Sequence, residues 1–264
     1  MVRETHLPVF NGRKGVQMHD EILRKALKAL IDEEIPVVEY GSQILYRWGW
    51  AEVLMGAEWA VPDDLLTFAS QTLADNGFPE ASKPDCNYYL GGWVDLSRFH
   101  KDAVYGSMIY LYPLSVLGLT LEDTFEVPST FDHKQQLLTP KPPRYMLSMI
   151  HHLVNSSVAD YSIRHQVISD LAGFMHGYIF HGPPADTQYN TAEEEEAAER
   201  EFMEMVPSAI QEIRSWDWGD VPDPEYLDIA EKVVRDAREL DKITKAVKAA
   251  PDESPANPST ATSM

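Results

Sequence analysis

The sequence predicts an α+β protein, with a small mixed β-sheet in its first half and helices through its C-terminal half. Three observations predict it. Leu23, Ala26, Leu27, Leu30 and Ile31 recur at helical spacing near the start. Residues 37–40 and 53–61 then carry the β-branched and alternating patterns of strands. From Ser129 onward the apolar spacing turns helical. Strands followed by a run of helices is the order of an α+β domain.

Taken in order, residues 1–17 read as a flexible arm, because Asn11-Gly12 and Gly15 interrupt any period. The first helix is expected from about Asp20, and Pro36 leads into the first short strand at 37–40. Gly41-Ser42 is a turn, and 43–48 a short packed helix. On the second strand Val53, Met55, Ala57, Trp59 and Val61 face one way. Leu54, Gly56, Glu58 and Ala60 face the other. Asp63 or Asp64 caps the next helix, which runs to about Asn76. Strands follow at 88–90 and 107–112, then helices at 131–138, 144–154 and 158–180. Gly182-Pro183-Pro184 ends the main domain, residues 18–182. Residues 190–250 form an acidic helical appendage: one helix from Thr191 toward Trp216, kinked or divided at Pro207, and one from Asp223 to Ala250. Tyr226, Ala230, Val233, Ala237, Leu240, Thr244 and Val247 line one side of that last helix. Residues 251–264, rich in Pro, Ser, Thr and Ala, read as a disordered tail.

Charge narrows the function classes. The chain carries 22 basic and 42 acidic residues, a net charge of −20. A surface of that sign repels phosphate backbones and anionic lipid, so free nucleic acid is not expected as a partner. The asymmetry is marked: residues 182–264 hold 20 of the acids and only 8 of the bases. A basic protein partner is the natural complement of such a region. No apolar run approaches the ~20 residues that a membrane span requires. An acid at position 4 argues against a secretory leader, so a cytoplasmic protein is expected. A single cysteine, Cys86, excludes an internal disulfide.

The stretch Ile35-Pro-Val-Val-Glu-Tyr-Gly41-Ser42, followed by Val53-Leu-Met-Gly-Ala-Glu-Trp-Ala-Val-Pro-Asp-Asp64, resembles the nucleotidyltransferase fold. Within that fold the likeness is to a nucleotidyltransferase-like type abundant in fungi. Asn76-Gly77-Phe78 and Ile109-Tyr-Leu-Tyr-Pro-Leu-Ser115 extend it, over roughly residues 20–180. The resemblance implies a Gly-Ser turn that cradles nucleoside triphosphate, here Gly41 and Ser42. It also implies an Asp-x-Asp pair on the next strand and a third acid on a later one. Those acids would hold two Mg²⁺ or Mn²⁺ ions about 4 Å apart, which needs hard oxygen ligands converging on one small volume.

The sequence departs from that pattern where the metals would sit. Gly56 stands at the first acid and Glu58 at the second, and residues 108–112 supply no third. One carboxylate of three does not hold two metals. The resemblance therefore implies a catalytically degenerate protein that acts by binding a nucleotide or a protein partner. An active enzyme would need a rebuilt acidic centre around Glu58, with Glu39 or Asp95 as the replacement acid. A third reading makes the acidic helices an interaction module.

Each feature also has a plainer account. Glu58 is either a metal ligand, a solvated strand residue or a partner of Arg47. Gly41-Ser42 is also an ordinary strand-to-helix turn with Ser42 as its cap. No histidine pair has the i, i+4 spacing of a helical zinc site, and scattered, partly exposed histidines in a helical bundle account for them. Trp48, Trp50 and Trp59 read as core, and Trp216-Asp217-Trp218 as an anchor for the appendage.

Overall fold

The stripe of Leu23, Ala26, Leu27 and Leu30 forms one face of α1 (Lys14–Asp32), and all four side chains are fully buried. A computed structural model describes residues 14–50, 54, 56–82, 91–104, 106–156, 161–181, 191–221 and 223–239. The helix starts earlier than the sequence predicts, at Lys14, so its first turns overlap the expected arm.

After α1 come β1 (Val38–Glu39), α2 (Ser42–Arg47), β2 (Gly56–Val61), α3 (Leu66–Asp75), β3 (Arg98–Lys101) and β4 (Met108–Pro113). Then follow β5 (Thr124–Pro128), β6 (Gln136–Pro140), α4 (Pro142–Asn155), α5 (Tyr161–Phe174), α6 (Ala192–Arg214) and α7 (Glu225–Arg235). The strands form one mixed sheet in the order β3-β4-β2-β1-β6-β5. β2 runs parallel to β4 and antiparallel to β1, and β1 runs parallel to β6. The fold is thus mixed α and β, with a six-stranded sheet and seven α-helices among the described residues.

Alternation along the strands divides the core in two. Ala57, Trp59, Val61, Ile109 and Leu111 pack under α1 and α3. Val38, Tyr40, Ala60 and Tyr112 point the other way, toward α2 and the later helices. Phe202, Val206, Ala209, Ile210 and Ile213 of α6 join that second cluster, as do Tyr226, Ile229, Ala230, Val233 and Val234 of α7. The acidic helices are therefore amphipathic, with one face built into the core.

Several predicted elements change. Residues 131–138 are not a helix: Ser129 Oγ accepts the N–H groups of Phe131 and Asp132, turning the chain into β6. β3 and β5 are strands that the sequence pattern does not signal. Asp63 caps no helix; a 3-10 turn spans Asp63–Leu65, and the Asp63 carboxylate accepts from Ser115 N–H at 3.0 Å and from its hydroxyl. α5 passes into a π-helical segment, Met175–Phe180. α6 runs through Pro207 unbroken, and Thr191 caps it by accepting from Glu194 N–H. α7 ends at Arg235 rather than near Ala250. Expectations for residues 88–90, 240–250 and 251–264 lie outside the described residues. Among the described residues no helix is long and apolar enough to cross a membrane.

Candidate functional site

The site is built around the β1–α2 turn and the face of β2 beneath it. Tyr40 N–H donates to Glu58 O at 2.8 Å, which brings the end of β1 beside β2. Gly41 then has φ +58, a conformation suited to glycine. A Cβ there would lie 2.0 Å from Glu58 Oε2, so only glycine lets the carboxylate come this close.

Glu58 is 8% exposed, and its side chain fills the space against the turn. Its Oε2 accepts Ser42 N–H at 2.9 Å and the Ser42 hydroxyl at 3.0 Å. Tyr112 OH donates to Oε1 at 3.3 Å, and Glu58 N–H donates to Gln43 Oε1 at 3.1 Å. Gln43 Nε2 donates in turn to Thr130 Oγ1 at 3.0 Å. Ser42 therefore donates to Glu58, and Glu58 caps the start of α2 from the neighbouring strand. An anionic ligand reaching for the Ser42 donors meets an anion already bound to them.

The other expected acids land elsewhere. Glu39 registers with Trp59 and so takes the opposite face of the sheet from Glu58. It is fully buried and held bidentately by Arg47, with Nη2 to Oε2 at 2.8 Å. Burial raises its carboxyl above the ordinary range, and the Arg47 guanidinium pulls the other way. Arg47 thus pairs with Glu39 and not with Glu58. Asp95 is exposed, in a 3-10 turn over Gly91–Leu96. Glu39 therefore does not share a face with Glu58, and Asp95 is not among the residues that line the cavity beside it. Opposite Glu58 on β4 is Tyr110, and Tyr112 is the next residue on that face. Gly56 is held to its residue type by packing: a Cβ would sit 2.5 Å from Met108 O.

Trp93, His152 and Asp170 join the site without a mark in the sequence pattern. They line a cavity together with Tyr40, Gly41, Glu58, Tyr112, Met149 and Val167. Water could enter only about 10 Å³ of it, room for a single molecule. Trp93 stacks on His152 with ring centroids 3.6 Å apart, and meets Tyr40 and Tyr112 edge-on. His152 is 5% exposed, and its Nε2 has no hydrogen-bond partner. Burial, with His151 beside it, lowers its pKa to about 3, so the imidazole is neutral at pH 7. His152 and His176 are buried, contrary to the expectation of scattered, partly exposed histidines. Burial raises the Tyr112 hydroxyl well above its ordinary range, and the Glu58 charge adds to this. Burial does the same to Tyr40, whose hydroxyl lies 2.7 Å from Ser148 Oγ. Both phenols stay protonated donors. Asp170 has one faint signal, as the lone charged residue in the stretch of residues 167–174.

A pair of divalent ions does not suit these residues. Glu58 is already engaged by three donors, a side chain at Gly56 would clash with Met108 O, and the cavity leaves only about 10 Å³ open to water. Among the described residues no three histidine, cysteine, aspartate or glutamate side chains group as a metal site. Compared with known proteins, the chain matches no family model and no curated sequence.

Proposed function

We propose that this protein is a catalytically degenerate, nucleotidyltransferase-like protein that acts by binding rather than by transferring a nucleotide. One observation carries the reading: the Glu58 carboxylate occupies the Ser42 donors, where the resemblance would place a phosphate. Gly56 supports it, because a first acid placed there would press its Cβ against Met108 O. An active enzyme with a rebuilt centre would draw on Asp170, which lines the same cavity as Glu58. The cavity's size weighs against that alternative. Mg²⁺ dehydrates reluctantly and keeps several waters, and about 10 Å³ of water-accessible space leaves little room for them.

Calorimetric titration with ATP, CTP, GTP and UTP, each with and without Mg²⁺ or Mn²⁺, tests the reading. Any nucleotide that binds should do so with the same affinity whether or not metal is present. Affinity that rises tenfold or more on adding metal, and falls back in Glu58→Gln, would favour the enzyme instead.

A further inference from the structure

The four half-buried aromatic residues Trp48, Tyr178, Trp216 and Trp218 form a connected row that shares no residue with the Glu58 cavity. Trp48 and Tyr178 meet edge-on at 4.7 Å, Tyr178 and Trp216 at 6.0 Å, and Trp216 and Trp218 lie 5.2 Å apart. The row is assembled from the end of α2, the π-helical segment after α5 and the turn after α6. Each element is fixed. Tyr178 stacks on buried Phe174 with ring planes 4° apart, and Trp218 Nε1 donates to Ile213 O at 2.9 Å. Arg144 holds the turn through the carbonyls of Trp218 and Asp220, at 2.8 and 3.1 Å. Its guanidinium is also paired with Asp123 at 2.6 Å.

The segment that carries Trp216 and Trp218 is acidic: residues 191–239 contain sixteen acidic and five basic residues. Four of those bases are ion-paired with three of the acids: Arg214 and Arg235 with Glu231, Lys232 with Asp236, and Arg238 with Glu199. Asp217, which separates Trp216 from Trp218 in the chain, and Asp220 are exposed, and Asp217 Oδ1 accepts Gly219 N–H at 3.1 Å, which holds that carboxylate at the turn.

We propose that the row is a docking surface for an arginine-bearing basic segment of a partner protein. A guanidinium stacks flat on an indole while its edge donates to a carboxylate, which is what Trp216, Asp217 and Trp218 offer together. The fixed rings reduce the ordering cost of binding. A lysine ammonium uses the charge but not the flat contact, so arginine is preferred.

The test titrates the full chain, at low salt, with a short peptide alternating arginine and glycine and with its lysine counterpart. The arginine peptide should bind about threefold or more tighter than the lysine peptide. Trp216→Ala should weaken arginine-peptide binding about tenfold, ~1.4 kcal/mol. Trp216→Phe should keep most of the affinity, and Asp217→Asn with Asp220→Asn should lose severalfold. Melting curves identify any variant that fails to fold, in which case Trp216→Phe and the aspartate pair decide. Equal affinity for the two peptides, or for wild type and Trp216→Ala, reduces the effect to unspecific charge attraction and overturns the proposal. So does the absence of binding.

Discussion

Replacing Gly56 asks whether the missing acid is a matter of packing. In the parallel register Gly56 pairs with Met108, and a Cβ on Gly56 would lie 2.5 Å from Met108 O and 3.4 Å from its carbonyl carbon. An ordinary contact needs nearly an ångström more. β2 lies between β1 and β4, so it cannot slide away from one strand without disturbing the other. Relief comes by lifting the first residue of the strand, which strains the backbone and loosens a ladder hydrogen bond. Overpacking of this kind costs ~1–3 kcal/mol, and that is the expected loss for Gly56→Ala. Gly56→Asp should lose ~1 kcal/mol more, because its carboxylate shares a face with Glu58 two residues on. Urea unfolding of the three proteins, followed by Mn²⁺ titration of Gly56→Asp, reads both effects. A Gly56→Asp protein as stable as wild type that gains stoichiometric Mn²⁺ binding would refute the packing argument.

Two further outcomes follow from the core. His152 is neutral when folded, its pKa lowered to about 3 from the ordinary 6.5, so the unfolded chain takes up the proton first as pH falls. The stability linked to its burial is complete above pH ~6.5 and is lost toward pH ~3, with ~2 kcal/mol gone between pH 7.5 and 5. Wild type should lose that much more than His152→Phe over the interval; equal losses, or a larger loss in the variant, would mean that Glu58 and Asp170 hold the imidazole charged. On α7, Val233 is fully buried, and Val233→Ala should cost ~2 kcal/mol, against ~0.5 or less for Lys232→Ala, whose ammonium is 3.5 Å from Asp236 at the surface. If the two variants melt alike, α7 is not docked on the core.

Elements with a strong local period were legible in the sequence. The stripe of α1, the alternation of β2 and the stripe of α7 from Tyr226 to Val233 can each be read without knowing a neighbour. β3 and β5 could not. Arg98-Phe-His-Lys has charges at both ends, and it becomes a strand because β4 pairs with it and Ser70 and Phe78 O receive the His100 ring. Residues 136–140 look helical beside Phe131, yet they pair with β1, which lies about a hundred residues earlier. Long-range pairing leaves no local trace. The site divides the same way. Gly41, Ser42 and Glu58 are readable as a turn and a strand face, while Trp93, His152 and Asp170 arrive from three separate elements and meet only after folding. Glu39 was misplaced because nearness in sequence to Gly41 says nothing of sheet face; its registry with Trp59 does.

The central claim is that Glu58 closes the turn as a structural anion and does not hold a catalytic metal. It is tested most directly by incubating the protein with labelled nucleoside triphosphates, Mn²⁺ and mixed RNA and protein acceptors. Wild type should transfer no label above the level of Glu58→Ala. Label that appears with wild type and disappears with Glu58→Ala would contradict the account.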